Sequence, residues 1–83
     1  MPSQPIETFT YTVVIDRDPA GGFVATCPAL DGVVTEGNTV EETLGMVRDA
    51  IRGYLESLRK DGIEIPKERE SIVSPIQVAI SMV

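Results

Sequence analysis

With 83 residues, the chain has room for one domain and one small core, and a domain of that size is marginally stable alone. One cysteine and no histidine exclude an intrachain disulfide, a histidine-based catalytic triad, and zinc centres built from histidine or several thiolates. A net charge of -6 argues against nucleic acid as the main ligand, because phosphate recognition needs clustered Lys and Arg.

The charge is unevenly spread. Before Leu44, seven acids (Glu7, Asp16, Asp18, Asp31, Glu36, Glu41 and Glu42) face one base, Arg17; from Leu44 onward, six acids meet six bases. The excess negative charge therefore lies in the first half. A one-sided acidic field steers a basic partner, although acidic turns also simply keep a small protein soluble. No apolar run reaches the ~20 residues of a membrane helix. The start, Met1-Pro2-Ser3-Gln4-Pro5, lacks the basic and apolar regions of a signal peptide. The reading is a cytoplasmic protein.

Residues 1–8 are expected to form a flexible N-terminal arm, and residues 9–83 a single domain. Phe9, Tyr11, Val13 and Ile15 alternate with Thr10, Thr12, Val14 and Asp16, the period of a strand with one buried face. Asp18-Pro19-Ala20-Gly21-Gly22 reads as a turn. Phe23, Ala25 and Cys27 then return as the second strand of a hairpin. Pro28 ends that strand, and Val33 to Glu36 form a short third one. Cys27 shares a face with Phe23 and Ala25 and reads as a small buried hydrophobe.

A helix over residues 40–60 follows. Thr39 is its expected N-cap, Glu42 completes a capping box, and Gly62 is the stop signal. Val40, Leu44, Val47, Ile51, Tyr54 and Leu58 are predicted to form the stripe that lies on the sheet. Gly45 and Gly53 interrupt the helix at about 1 kcal/mol each. They are read as tolerated weakness, tight packing on the sheet, or close approach of another subunit. Ile63-Glu64-Ile65-Pro66 opens a charged connector. After Pro75, the residues Ile76, Val78, Ile80 and Met82 alternate with Gln77, Ala79, Ser81 and Val83. This terminal strand must pair with its own sheet or with another subunit, so those four apolar residues are the candidate oligomerisation surface. The fold class is α+β, ordered β-β-β-α-β, with an antiparallel sheet and one long helix packed on one face.

The only candidate catalytic constellation is carboxylate. Asp16, Asp18 and Asp31, with Glu36 nearby in sequence, could bind a divalent metal and act on phosphodiesters. The same acids also fit solvated turns. No catalytic residue, metal ligand or cofactor is assigned.

Tyr11-Thr12-Val13-Val14-Ile15, Gly22-Phe23-Val24-Ala25, Pro28, Leu30, Gly32, Thr35, Gly37, Thr39, Glu41, Glu42, Leu44 and Ile65-Pro66 occur in an order and spacing that resembles the HicB family of small antitoxin-like proteins. The resemblance covers about residues 11 to 66. It implies a partial ribonuclease-H-like sheet with one helix, and an antitoxin of a type II toxin–antitoxin pair. Its usual partner is HicA, a small basic mRNA-cleaving ribonuclease whose active site the antitoxin occludes, and the pair often represses its own promoter. Asp16, Asp18, Asp31 and Glu36 then become the candidate partner-binding residues. Two departures stand out. Many members carry a C-terminal DNA-binding domain that is not found here, so direct nucleic-acid binding by this chain alone is not expected. Thr43 stands where the family often has alanine. The family also includes solitary members, which leaves open an orphan structural or regulatory role; a third reading is a metal-dependent nuclease that keeps residual ribonuclease-H-like function, with Asp16, Asp18 and Asp31 as its metal-binding acids.

Overall fold

The computed structural model describes residues 5–82. The first half of the expected N-terminal arm, residues 1–4, lies outside that range, as does Val83 at the end of the expected last strand. Three strands, β1 (Val14–Arg17), β2 (Phe23–Thr26) and β3 (Val34–Gly37), precede one helix, α1 (Val40–Lys60). The strands form an antiparallel sheet in the order β1-β2-β3. This is the expected α+β arrangement.

Each element follows from local chemistry. In the β1–β2 hairpin, the Gly21 amide donates to the Asp18 carbonyl (2.9 Å) and the Asp18 amide to the Gly22 carbonyl (3.0 Å). Both glycines have positive φ, 109° and 80°, a region that L side chains adopt only with strain. β1 is shorter than the alternation of residues 9–16 predicts. A ladder is only as long as its partner, and β2 stops at Thr26, just before Pro28 removes a donor. Cys27 already gives its amide to the Val33 carbonyl. Residues 9–13 therefore continue past the end of the ladder.

The helix begins and ends where its caps place it. Thr39 accepts from the Glu42 amide at 3.0 Å. At the other end the Ile63 amide reaches the Leu58 carbonyl and the Gly62 amide reaches the Arg59 carbonyl, with Gly62 at φ 71°. That pair of bonds is a Schellman closure.

The core consists of Ala25, Cys27, Leu30, Val33 and Val47, with Tyr11, Val13, Ile15, Ala50, Ile51, Tyr54 and Leu55 packed against it. Leu30 hangs from the β2–β3 loop and plugs one end of the sheet. The predicted helix stripe is rotated. Thr43 and Val47 are buried, whereas Val40 and Leu44 are exposed. The cause is a close approach at the start of the helix. A Cβ on Gly37 would collide with the Thr43 hydroxyl and stand 2.8 Å from the Thr43 amide nitrogen, so the missing side chain lets Thr43 seat against β3. Once buried, the Thr43 hydroxyl is satisfied by donating to the Thr39 carbonyl at 2.7 Å. The space around Gly45 and Gly53 is open, so neither is there to permit tight packing on the sheet.

The helix crosses β2 and β3 and leaves β1 largely uncovered. Beyond Gly62, residues 63–82 contain no helix or strand. The expected terminal strand is therefore absent from this chain's own sheet. Ile76, Val78, Ile80 and Met82 have no ladder to join and are all exposed.

Candidate functional site: the open face of the sheet

Directly opposed residues in a ladder share a face. Ile15, Ala25 and Thr35 are aligned across the three strands, and Ala25 belongs to the core with Val47, so this row faces the helix. The next row, Asp16, Val24 and Glu36, must face the other way, as must the row Val14, Thr26 and Val34. The face opposite the helix thus has two exposed carboxylates flanking Val24, with Val14 and Val34 beside them, both exposed. It is apolar in its middle and acidic at both margins.

The candidate acids do not form one cluster. Asp16 and Glu36 lie on this face. Asp18 lies at the hairpin end, where it caps the turn by accepting from the Ala20 amide at 2.9 Å. There it lines a shallow hollow with Glu36, Asn38 and Glu42. Asp31 sits in the β2–β3 loop at the opposite end of the sheet. The sheet therefore separates Asp31 from Asp16 and Asp18, which removes the geometry that the metal-nuclease alternative required. Among the described residues no group of three or more Cys, Asp and Glu side chains is placed to hold a metal ion.

Sequence reasoning missed Val14, Val24 and Val34 as part of the surface. Their signal was present: they are apolar residues at the strand positions that alternate away from the core. It also missed Glu42, whose capping role hid its place beside Asp18 and Glu36.

The helix-facing side has its own chemistry. Cys27 is buried, and burial pushes its thiol above the ordinary range, opposite to what a nucleophilic cysteine needs. The Thr35 hydroxyl is buried without a hydrogen-bond partner. Near the N-terminal end of β1, the Tyr11 hydroxyl donates to the Pro66 carbonyl. The Thr12 amide and hydroxyl both donate to the Glu68 carboxylate. The Thr12 hydroxyl is the main cause that holds the Glu68 carboxyl below its usual range, while burial first, and then Cys27 and Glu68, push the Tyr11 phenol up. No helix among the described residues is long and apolar enough to cross a membrane.

Comparison with known proteins places this arrangement. The family model described as "HicB_like antitoxin of bacterial toxin-antitoxin system" matches residues 11–79. A UPF0150 protein of Synechocystis sp., ssr1765, is 36% identical over 76 residues, covering 92% of this chain and 95% of that protein. A UPF0150 protein of Thermoplasma acidophilum, Ta0767, is 45% identical over 58 residues, 70% of this chain and 84% of its own length. One from Helicobacter pylori is 34% identical over 68 residues, 82% and 93% respectively. The family match spans all three strands, the helix and the connector after it, and with that extent the chain belongs to the HicB-like antitoxins of bacterial toxin–antitoxin systems.

Proposed function

We propose that this protein is a non-enzymatic cytoplasmic antitoxin that binds and neutralises a small basic mRNA-cleaving toxin of the HicA type, and that it works as a homo-oligomer. The family supports the antitoxin role. The observation that carries the choice of partner is the open face: Asp16 and Glu36 flank an apolar centre of Val14, Val24 and Val34 on a sheet whose helix covers only the other side. A ribonuclease surface must be basic to hold RNA, so an acidic face with an apolar middle is complementary to it in charge and desolvates well on contact. In this reading Asp18 extends the acidic margin at the hairpin end, and Asp31, at the far end of the sheet, contributes only to the long-range field.

The test is a ribonuclease assay with a purified HicA-type toxin and increasing amounts of this protein. The expected result is stoichiometric loss of RNA cleavage, with association slowing about ten-fold or more between low and physiological salt. Unchanged cleavage at saturating protein contradicts the proposal.

A further inference from the structure

The described residues beyond Glu68 do not pack on the body that precedes them: residues 69–82 are all exposed. The described chain measures 73 × 28 × 20 Å, with a radius of gyration of 17.3 Å, against about 12 Å for a compact chain of this length. The helix, the longest element, is itself only about 30 Å long. The chain beyond Glu68 is an arm. Residues 71–82 are all exposed, and extended they span about 40 Å. Ile72, Ile76, Val78, Ile80 and Met82 are between 74% and 98% exposed. A strand-like alternation this apolar is an edge waiting for a ladder.

A matching ladder exists. β1 is an edge strand. The Asp18–Gly22 hydrogen bond fixes the phase of the hairpin. By the alternation of an antiparallel ladder, Asp16 and Val14 bond toward β2, while the backbone groups of Ile15 and Arg17 point outward, unpaired. On the helix side of this edge the sheet lacks cover. A cleft of about 450 Å³ runs between the chain before β1 and the helix, lined by Phe9, Tyr11, Val13, Leu44, Val47 and Ile51. Leu44 and Phe9 are each 39% exposed. A strand added there buries one row of side chains against the helix and leaves the other on the open face. That is the one-sided pattern of Ile76, Val78 and Ile80 against Gln77, Ala79 and Ser81.

The arm does not fill its own cleft, since Ile76, Val78 and Ile80 are all exposed. It leaves the body at Pro66 and Glu68, which are fastened to Tyr11 and Thr12. Gly62 is the last glycine of the chain, so the segment that follows lacks the residue that most readily makes a tight reversal. Pro66 and Pro75 hold the residues before them extended. A connector that lacks a ready tight reversal favours exchange of an identical element between copies.

We infer that residues 76–82 of one copy form the fourth strand of a second copy, pairing with the outer edge of β1 and burying Ile76, Val78 and Ile80 in the cleft between the chain before β1 and α1, with the second arm returning the exchange by two-fold symmetry. This assembly deepens the homo-oligomer part of the proposed function and needs no toxin, so its failure leaves toxin neutralisation to be judged by the ribonuclease assay alone.

The experiment is isotope-filtered NMR on the full chain, using a sample refolded from a mixture of ¹³C-labelled and unlabelled copies, with mass determined in parallel by light scattering. The expected result is a dimer or a multiple of it. Methyl contacts between the arm (Ile76, Val78, Ile80) and the cleft (Leu44, Val47, Ile51) should appear between differently labelled copies. In Ile80→Asp those contacts and the dimer mass should be lost, while the helical far-ultraviolet signal stays. A monomer, contacts confined to one copy, or contacts only between the two arms would each overturn the inference.

Discussion

Two stretches of this chain carry the same strand pattern and meet opposite fates. Phe23–Thr26 sends Phe23 and Ala25 to one face and Val24 and Thr26 to the other and is the central strand, its Ala25 fully buried. Residues 76–82 alternate at least as regularly and stand in solvent. Intrinsic preference cannot separate them, since Val and Ile favour strands more than Ala does. What separates them is the neighbour. β2 has a hairpin partner five residues away and a second partner after the loop at Leu30, whereas residues 76–80 join no ladder among the described residues. A strand is a property of pairs, and a helix with its own caps is a property of one segment.

The largest contrast is expected from truncating one apolar side chain in each region. Leu30→Ala, in the fully buried loop plug, should cost about 3 kcal/mol of unfolding free energy. Ile72→Ala, at the base of the arm and 96% exposed, should stay within about 0.5 kcal/mol. Chemical denaturation of both variants measures the difference. Equal losses would mean that the arm base is packed and that the body and arm are not separate.

A smaller effect should sharpen the account of the sheet itself. The Thr35 hydroxyl lies on the helix-facing row without a partner. Thr35→Val keeps the branched shape and removes the unsatisfied group, so it should stabilise the body by about 1 kcal/mol. A loss of stability would show that the hydroxyl has a partner, such as an ordered water.

The smallest effect concerns the joint between the regions. Glu68 is fully exposed, but Thr12 hydrogen bonds hold its carboxyl below the ordinary value of 4.5. A carboxyl depressed in the folded state adds stability above its unfolded pKa and loses it as pH falls through the lower folded value. The Thr12 amide resonance should therefore keep its bonded position at pH 4.5 and shift only at more acidic pH. Glu68→Gln should abolish that transition. A midpoint at or above 4.5 would contradict the clasp.

Much of the body was legible in the sequence because its signals are local. Thr39 with Glu42 gave the first turn of the helix, Gly62 its end, and Asp18 to Gly22 the hairpin. The rotation of the helix stripe was not legible, because it depends on Thr43 meeting Gly37 across the β3–α1 junction, a contact that no periodicity encodes. The acids were legible as a group but not as a surface. Asp16 and Asp18 are two residues apart, yet one lies on the open face and the other caps the turn, while Glu36 comes into line with Asp16 only through the register of three strands. The arm was legible as a strand and illegible as an exposed one, since its partner is not encoded in the same stretch of chain.

The most direct test of the central claim is a binding titration against a HicA-type toxin, comparing the unaltered protein with the double charge reversal Asp16→Lys, Glu36→Lys and with Asp31→Lys. If the open face is the toxin-binding surface, the double variant should weaken binding about a hundred-fold, most strongly at low salt. Asp31→Lys should change it by no more than about three-fold, the contribution of a distant screened charge. Equal effects from the two substitutions, or an unchanged affinity in the double variant, would contradict the account.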